Sequence, residues 1–222
     1  MSKLVAPQLV INTRMLYLTW VPADSDAVSR LVDPRLNRIA NGQCFINQYV
    51  VDDAEQTSGF GAYSLTYAGA DLDRFAPDGQ IPSRWWTHYL NSSADMSEYA
   101  SERGVPATSG ETILEISGDT LVATTRQEGV DLIRTTVRVG APGGVVASGQ
   151  LSYLTDIEGQ LVDGLYPFIA PLVDPWEVLE FEFLAPDHSI YALRPASPLQ
   201  VTWGFYSPTA SFCYPGGETA IG

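Results

Sequence analysis

The chain has one lysine, Lys3, two cysteines and two histidines in 222 residues, and each shortage excludes a class of site. Cys44 and Cys213 are far apart in the sequence, so they form neither a disulfide framework nor the paired spacing of a zinc site. His88 and His188 alone do not make a metal cluster. We therefore expect two free, buried thiols in a reducing compartment, and no metal ion or other cofactor.

Basic residues are also scarce, since 12 Lys and Arg stand against 26 Asp and Glu, giving a net charge of −14. An acidic surface repels phosphate groups, so neither nucleic acid nor an anionic membrane is expected as a partner. The sequence contains no apolar run long enough to cross a membrane, and the opening MSKLVAPQLV has none typical of a signal peptide. We expect a cytoplasmic protein.

Known short motifs are missing as well. The sequence has no C-x-x-C, H-E-x-x-H, P-loop or G-x-S-x-G motif. The G-x-G at 59–61 lacks the third glycine and the following helix of a dinucleotide site. The common metal, phosphate and serine-nucleophile chemistries are therefore not predicted.

Strand-like sequence is abundant. Hydrophobic residues make up 45% of the chain, enough for the core of a single domain over 1–222. Helices are predicted only at 24–32, 94–103 and 159–172, and a loop at 140–145. Runs rich in β-branched and aromatic residues predict strands at 9–21, 44–51, 60–68, 84–90, 111–117, 119–127, 130–139, 144–154, 176–184 and 199–207. This pattern favours one closed antiparallel sheet.

Several stretches follow one another in an order shared with one enzyme family. Residues 57–63 read TSGFGAY, and the strand ending in Tyr89-Leu90 is followed by PATSG at 106–110. A strand at 111–117 then leads into DTL at 119–121. This order resembles the acetoacetate decarboxylase family, with T-S-G-x-G-x-Y, Tyr-Leu, Pro-Lys-Lys-x-Gly and D-T-L. The resemblance implies a mainly β fold: a conical, closed antiparallel β-barrel with a few short helices and a central pocket.

The resemblance also implies that a reaction has been lost. Decarboxylases of this family form a Schiff base between a lysine and a β-keto acid, and the two lysine positions fall on Ala107 and Thr108. Neither side chain can form an imine, and Lys3 precedes the first strand. The family's pocket glutamate falls on Leu65. Ala107, Thr108 and Leu65 are therefore expected to line a substrate pocket that lacks the family's charges.

Arg14 is a candidate substrate anchor. It matches the family's first-strand arginine, which faces the substrate carboxylate. It is also the only charge in VINTRMLYLTWV, and a lone arginine on a core strand needs a partner. The alternatives are an ion pair with one of the many acids, or a strand end that reaches water.

The strand 84–90 borders the pocket in the family. Alternation puts Trp86, His88 and Leu90 on one face of this strand. Trp86 is then a candidate pocket wall and His88 a candidate general acid or base, because its pKa lies near neutral pH. The alternative is a histidine satisfied inside an aromatic core or on the outer face.

Three more polar positions complete the candidate site. Glu102 lies close to the turn that corresponds to the lost lysines, and is a candidate acid. Tyr63, like Tyr67, is either a donor to an oxyanion or an ordinary core tyrosine. Gln48 and Asn47, in the apolar run CFINQYVV, either hydrogen-bond a substrate carbonyl or pair with each other and with water.

Taken together, these features predict a lysine-independent enzyme of specialised (natural-product) metabolism. It would act on an apolar carbonyl, β-keto or polyketide-like small molecule by cyclisation, dehydration or isomerisation, as a lyase or isomerase. The alternatives are a non-catalytic binding protein for a small organic acid, or a decarboxylase that works without a Schiff base. Because family members assemble, a homo-oligomer is expected.

Overall fold

The computed structural model describes residues 4–39, 42–75 and 82–221. Two short helices, α1 (Ser25–Ser29) and α2 (Ala94–Ser101), and 3-10 turns at Ala54–Gln56 and Ser189–Leu193 interrupt the strands. The strands are β1 Gln8–Trp20, β2 Cys44–Val51, β3 Tyr63–Phe75, β4 Pro82–Asn91, β5 Ala107–Ser109, β6 Glu111–Ser117, β7 Thr120–Gln127, β8 Val130–Ile157, β9 Gln160–Phe183, β10 Val201–Tyr214 and β11 Thr219–Ala220.

Both helices begin at the capping residues that the sequence contains. The Asp24 side chain accepts from the Ala27 backbone N–H ahead of α1, and the Ser93 side chain accepts from the Met96 backbone N–H ahead of α2. These contacts satisfy donors that have no partner in the first helical turn. The two predicted helices are confirmed, and each ends a few residues before its predicted limit.

The third predicted helix, at 159–172, is wrong, because this segment is the first half of β9. Pro167 and Pro171 would each remove a hydrogen bond from a helix and clash with the preceding turn. A tight turn at Glu158-Gly159, with φ of 53° and 87°, instead folds the chain back on itself as a hairpin. Long-range pairing with β8 then fixes the segment as strand.

Neighbouring strands pair in the order β11-β9-β10-β1-β2-β3-β4-β8-β7-β6, with β5 on β4. A further pairing of β8 with β9 means that β9, β10, β1, β2, β3, β4 and β8 form a ring of paired strands. The predicted mainly β fold with a few short helices is confirmed. The pairing is not antiparallel throughout, since β4 runs parallel to both β5 and β8. The predicted loop at 140–145 lies within β8, where the register shifts.

Alternation along the strands divides the core into an inner and an outer side. On β1–β3 the inner side carries aromatic residues such as Tyr17, Tyr49 and Tyr67, which belong to one aromatic cluster. The outer side carries aliphatic residues such as Leu18 and Ile46, which pack beneath α1 and the 3-10 turn at Ser189–Leu193. The inner cluster therefore decides what the ring can enclose.

Three further findings concern the described residues only. None of their helices has the length and hydrophobicity needed to cross a membrane. No three of their His, Cys, Asp and Glu side chains are grouped so that they could hold a metal ion. Cys44 and Cys213 are both free thiols; Cys44 is buried as predicted, whereas Cys213, on β10, is only half-buried.

Candidate functional site

An apolar cavity of about 220 Å³ lies inside the ring of strands. A cavity of roughly 150 Å³ lined by apolar side chains holds a benzene ring, so this one has room for an aromatic ring with a short substituent. The inner faces of β1–β4 and β8–β10 form its walls. Its apolar lining consists of Met15, Leu151, Phe168, Trp203, Phe205, Phe212 and the ring of Tyr214.

One end of the cavity is polar, because neighbouring strands place polar side chains at the same level. Tyr17 on β1 is the cross-strand partner of Asn47 on β2, which in turn is the partner of Tyr67 on β3. Asn47 Nδ2 donates to Tyr67 Oη at 2.9 Å, and Tyr67 Oη lies 2.6 Å from Tyr166 Oη on β9. We call these four residues the polar row. All four line the cavity.

Arg84 on β4 brings a positive charge to the same end. It is the cross-strand partner of Asp71 on β3, and its Nε donates to Asp71 Oδ1 at 3.2 Å. The guanidinium carbon lies 5.4 Å from the centre of the Tyr17 ring and 5.0 Å from that of Phe45, within cation–π range. Burial is the largest single effect and lowers the pKa of Arg84, but the groups around it, Asp71 and three tyrosines, together raise the pKa above its ordinary value, so the guanidinium stays charged.

Three buried polar atoms at this end have no hydrogen-bond partner among the described residues. They are Arg84 Nη1, Tyr17 Oη and Asn47 Oδ1, and all three residues line the cavity. Leaving a buried polar atom unpaired costs about 1–3 kcal/mol, and folded proteins seldom leave such atoms unsatisfied. Because the three residues line one cavity, a molecule bound there can supply the missing partners.

The phenols of the polar row remain protonated. Burial raises the pKa of Tyr17, Tyr67 and Tyr166 above the ordinary value of a phenol. At Tyr17 the Arg84 charge lowers the pKa, but burial has the larger effect. The described lining residues include no carboxylate, histidine, cysteine or lysine. The cavity therefore offers a fixed cation and neutral hydrogen-bond donors, and no lining group that titrates near neutral pH.

The cavity reaches the protein surface beside Trp203. This side chain is 48% exposed and lines the cavity from β10, while the exposed Ser148 and Gly149 line it from β8. Arg84 and Asn47, in contrast, are buried. The polar end of the cavity is therefore its buried end, and Trp203 lies at its entrance.

The structure places Arg14 away from the cavity. Its Nε and Nη2 donate to the Asp52 carboxylate at 2.7 Å and 2.6 Å, and its Nη1 donates to the Leu114 carbonyl at 2.8 Å. Met15 and Tyr17 line the cavity, so alternation turns Arg14 to the opposite face of β1. The predicted carboxylate contact is thus corrected to an ion pair, the alternative that the sequence left open.

Gln48 and Leu65 also lie outside the cavity lining. Gln48 Nε2 donates to Thr125 Oγ1 at 2.9 Å, and its Oε1 accepts from Thr135 Oγ1 at 2.8 Å, so this amide is satisfied on the outer side of β2. Its neighbour Asn47 is the amide that faces the cavity. Leu65 is fully buried within the inner aromatic cluster.

An irregularity in the pairing of β3 with β4 overturns the predicted orientation of His88. The register shifts between the pairs Ala68–His88 and Gly69–Trp86, so the strict alternation of β4 is broken there. Trp86 points inward and stacks on Tyr153 at 4.4 Å, within the aromatic cluster but outside the cavity lining. His88 lies on the outer side.

His88 is hydrogen-bonded at both ring nitrogens. Its Nδ1 lies 2.9 Å from Thr87 Oγ1, and its Nε2 lies 2.8 Å from Ser189 Oγ. Since the Thr87 hydroxyl donates to the Ala68 carbonyl, Nδ1 carries the proton and Nε2 accepts from Ser189. Burial, and then the nearby His188, lower the pKa of His88 to about 4. This histidine is a neutral link between β4 and the 3-10 turn.

The remaining candidates do not line the cavity either. Ala107 packs against the aromatic cluster and Thr108 is exposed, both on β5. Tyr63 is buried with its Oη 2.8 Å from Tyr49 Oη, and Glu102 is exposed at the end of α2. A second, much smaller void of about 10 Å³ lies within the aromatic cluster, and Trp86, Tyr89 and Tyr153 contribute to its lining.

Sequence reasoning missed Arg84, which carries the formal charge of the cavity lining. A signal was present, because Arg84 is the only formal charge in the run RWWTHYL. Like Arg14, Arg84 is a lone cation on a core strand and therefore needs a partner. Asn47 and Tyr67 were considered for the same roles as Gln48 and Tyr63 but were not selected as site residues.

Comparisons with known proteins identify the fold. Neither a protein-family model nor a curated protein matches the sequence. Among solved structures, acetoacetate decarboxylase from Legionella pneumophila subsp. pneumophila str. Philadelphia 1 superposes with a TM-score of 0.69 at 15% identity, over 98% of this chain and 88% of that one. A second acetoacetate decarboxylase structure gives a TM-score of 0.67 at 16% identity, over 98% and 90%. The chain has the acetoacetate decarboxylase-like fold.

The fold is shared with at least one other kind of enzyme. The enduracididine biosynthesis enzyme MppR, complexed with pyruvate, superposes with a TM-score of 0.67 at 12% identity, over 99% of this chain and 92% of that one. The resemblance inferred from the order of short motifs is therefore confirmed for the fold. The assignment of Ala107 and Thr108 to the two lysine positions stays a prediction.

Proposed function

We propose that this protein is an enzyme of natural-product metabolism that acts on an apolar carbonyl compound without forming an imine. The proposal is carried by two buried, unpartnered donors, Arg84 Nη1 and Tyr17 Oη, at the polar end of an otherwise apolar cavity. Cyclisation, dehydration and isomerisation of a β-keto or polyketide-like compound can each pass through an enol or enolate. A lyase or isomerase reaction of this kind requires groups that stabilise the negative charge of the enolate.

In this proposal Arg84 and Tyr17 stabilise the charge that develops on the carbonyl oxygen. Donors that are fixed in a dry, apolar site bind an enolate more strongly than the ketone it comes from. Asp71 and the Phe45 ring hold the guanidinium in place, so little reorganisation is needed. Removing one such donor lowers a rate by about 100- to 1,000-fold in enzymes that use the same principle.

The polar row provides the hydrogen-bonding chain for proton transfer. Tyr67 lies between Asn47 and Tyr166, and its phenol stays protonated, so the row can give a hydrogen bond or a proton to the substrate. A water molecule or an oxygen of the substrate would accept the α-proton. The occurrence of the fold in a biosynthetic enzyme supports a role of this kind.

The lack of a titrating group among the described lining residues favours a second candidate, a non-catalytic protein that binds a small organic acid. It also suits decarboxylation without a Schiff base, because loss of CO₂ needs no base. For that reaction the keto oxygen would lie on Arg84 and the carboxylate against the apolar wall, where it is poorly solvated.

The test is hydrogen–deuterium exchange at the α-carbon of propiophenone, an apolar ketone of suitable size, followed by NMR in D₂O. The decisive variant is Arg84→Gln combined with Asp71→Asn, which removes the buried cation without leaving an unpaired buried carboxylate. The matched control is Arg14→Gln combined with Asp52→Asn, which alters the same pair of residue types away from the cavity.

We expect the wild type and the control to catalyse exchange, and the Arg84 variant to lose it. Equal exchange in all three proteins would refute the role of Arg84. Saturable binding of propiophenone without exchange would identify the binding protein. Release of CO₂ from benzoylacetate above a protein-free control would identify the decarboxylase.

A further inference from the structure

The three unpartnered atoms at the polar end require two kinds of partner. Arg84 Nη1 can only donate, and Asn47 Oδ1 can only accept. Tyr17 Oη can do either, but it is not bonded to Asn47 Oδ1, since both atoms lack a partner. The other side of the Asn47 amide is already used, because Nδ2 donates to Tyr67. A simple ketone would therefore pair with Arg84 and Tyr17 and leave Asn47 Oδ1 unsatisfied.

We propose that the cavity recognises a hydroxylated carbonyl compound. Its carbonyl oxygen accepts from Arg84 and Tyr17, and a hydroxyl on a neighbouring carbon donates to Asn47 Oδ1. This inference rests on the proposed function, because it uses the same cavity and the same arginine.

The strand register makes the two contacts compatible. Tyr17 and Asn47 are direct cross-strand partners, and such partners have Cβ atoms about 4.5–5.5 Å apart on one face of a sheet. Two oxygens on adjacent carbon atoms of one small molecule can therefore serve both side chains. The rest of the molecule lies against Phe205 and Phe212 and points towards Trp203. An aryl or short alkyl group matches this lining.

The experiment compares two ligands of nearly equal shape, 2-hydroxyacetophenone and propiophenone, which differ by a hydroxyl in place of a methyl. Their dissociation constants are measured by calorimetry for the wild type, Asn47→Leu and Gln48→Leu. The Gln48 variant is the matched control, because it removes the adjacent amide, which binds Thr125 and Thr135 on the opposite face. Both variants are checked for folding by their thermal transitions.

In the wild type, we expect the hydroxylated ligand to bind about 5- to 150-fold more tightly, because propiophenone would press a methyl group against an unpaired carbonyl oxygen. Asn47→Leu should abolish the preference and Gln48→Leu should keep it. The wild-type comparison stands even if a variant does not fold.

Two results would overturn the inference while leaving the proposed function intact. The first is that both ligands bind the wild type equally well and that binding is lost in Arg84→Gln/Asp71→Asn. The second is that Asn47→Leu still prefers 2-hydroxyacetophenone to propiophenone. Failure of both ligands to bind the wild type would count against the proposed function, and the inference would fall with it.

Discussion

Two arginine–aspartate pairs in this protein should differ sharply in what their loss does to stability. Arg84 and Asp71 have 9% and 3% of their side chains exposed, and their N–O distance is 3.2 Å. Arg14 and Asp52 have 28% and 51% exposed, with a shorter distance of 2.6 Å. If the N–O distance decided how much a pair contributes to stability, loss of the Arg14 pair would destabilise the protein more. If burial decides it, loss of the Arg84 pair will destabilise the protein more.

Burial should decide, because an unpaired charge is costly only where water cannot reach it. Arg84→Met leaves the Asp71 carboxylate buried with Gln43 Nε2 as its remaining side-chain partner among the described residues, and breaking a buried pair in this way costs about 3–5 kcal/mol. For a protein of this length that lowers the melting temperature by about 6–20 °C. Arg14→Met breaks an exposed pair, for which about 0–1 kcal/mol is usual.

The assay is thermal unfolding of both variants, together with the double variant Arg84→Met/Asp71→Leu. Replacing both members of a buried pair by apolar groups is often nearly neutral, so the double variant should regain much of the stability that Arg84→Met loses. Similar melting temperatures for Arg84→Met and Arg14→Met would refute the reasoning. So would a double variant less stable than Arg84→Met.

Four further predictions follow from the site and its surroundings. His88 has a pKa of about 4 in the folded protein and an ordinary histidine pKa when unfolded, so between these values the unfolded chain binds one more proton than the folded one. The free energy of unfolding therefore falls as pH drops from about 6.5 towards 4, by up to about 1.4 kcal/mol per pH unit. Urea unfolding at pH 7 and pH 5 should show a smaller fall in His88→Gln than in the wild type, and equal falls would contradict this. Gly149→Val should slow ligand association in stopped-flow measurements without changing the melting temperature, because an added Cβ meets only ordinary van der Waals contacts at the entrance. Borohydride treatment with propiophenone should leave the protein mass unchanged, because Ala107 and Thr108 cannot form an imine; an adduct that persists in Lys3→Arg would contradict the proposed chemistry. Ligand affinity should be equal at pH 6 and 8 for a ligand that does not ionise, because the phenols and the guanidinium of the polar end keep their protonation states.

Much of the fold could be predicted from sequence because its signals are local. Runs of β-branched and aromatic residues bounded by turn residues marked most of the strands, and capping residues marked both helices. The segment 159–172 was wrongly predicted as a helix because its conformation is determined by pairing with β8, which the sequence of the segment itself does not reveal. Its two prolines, Pro167 and Pro171, were the local warning.

The site was harder to predict because it depends on which face of each strand turns inward. The structure places Tyr17 and Asn47 at the cavity, where the sequence analysis selected Arg14 and Gln48. A strand has a period of two residues, so a register error of one exchanges its two faces. At His88 the cause is different, since the shift in pairing with β3 breaks the alternation itself. Such a shift depends on the partner strand and has no signature in the sequence of β4 alone.

The choice of arginine at position 84 limits the chemistry that the cavity can perform. A lysine buried between the rings of Tyr17 and Phe45 would tend to lose its proton and become a nucleophile, which is what imine formation requires. An arginine keeps its charge in the same surroundings and cannot serve in that way. It can polarise a carbonyl group and hold an enolate, with Asp71 fixing its orientation through Nε. Since a buried ion pair is a poor device for stability alone, and Arg84 Nη1 is left without a partner, we infer that the pair is present to recognise and polarise a ligand.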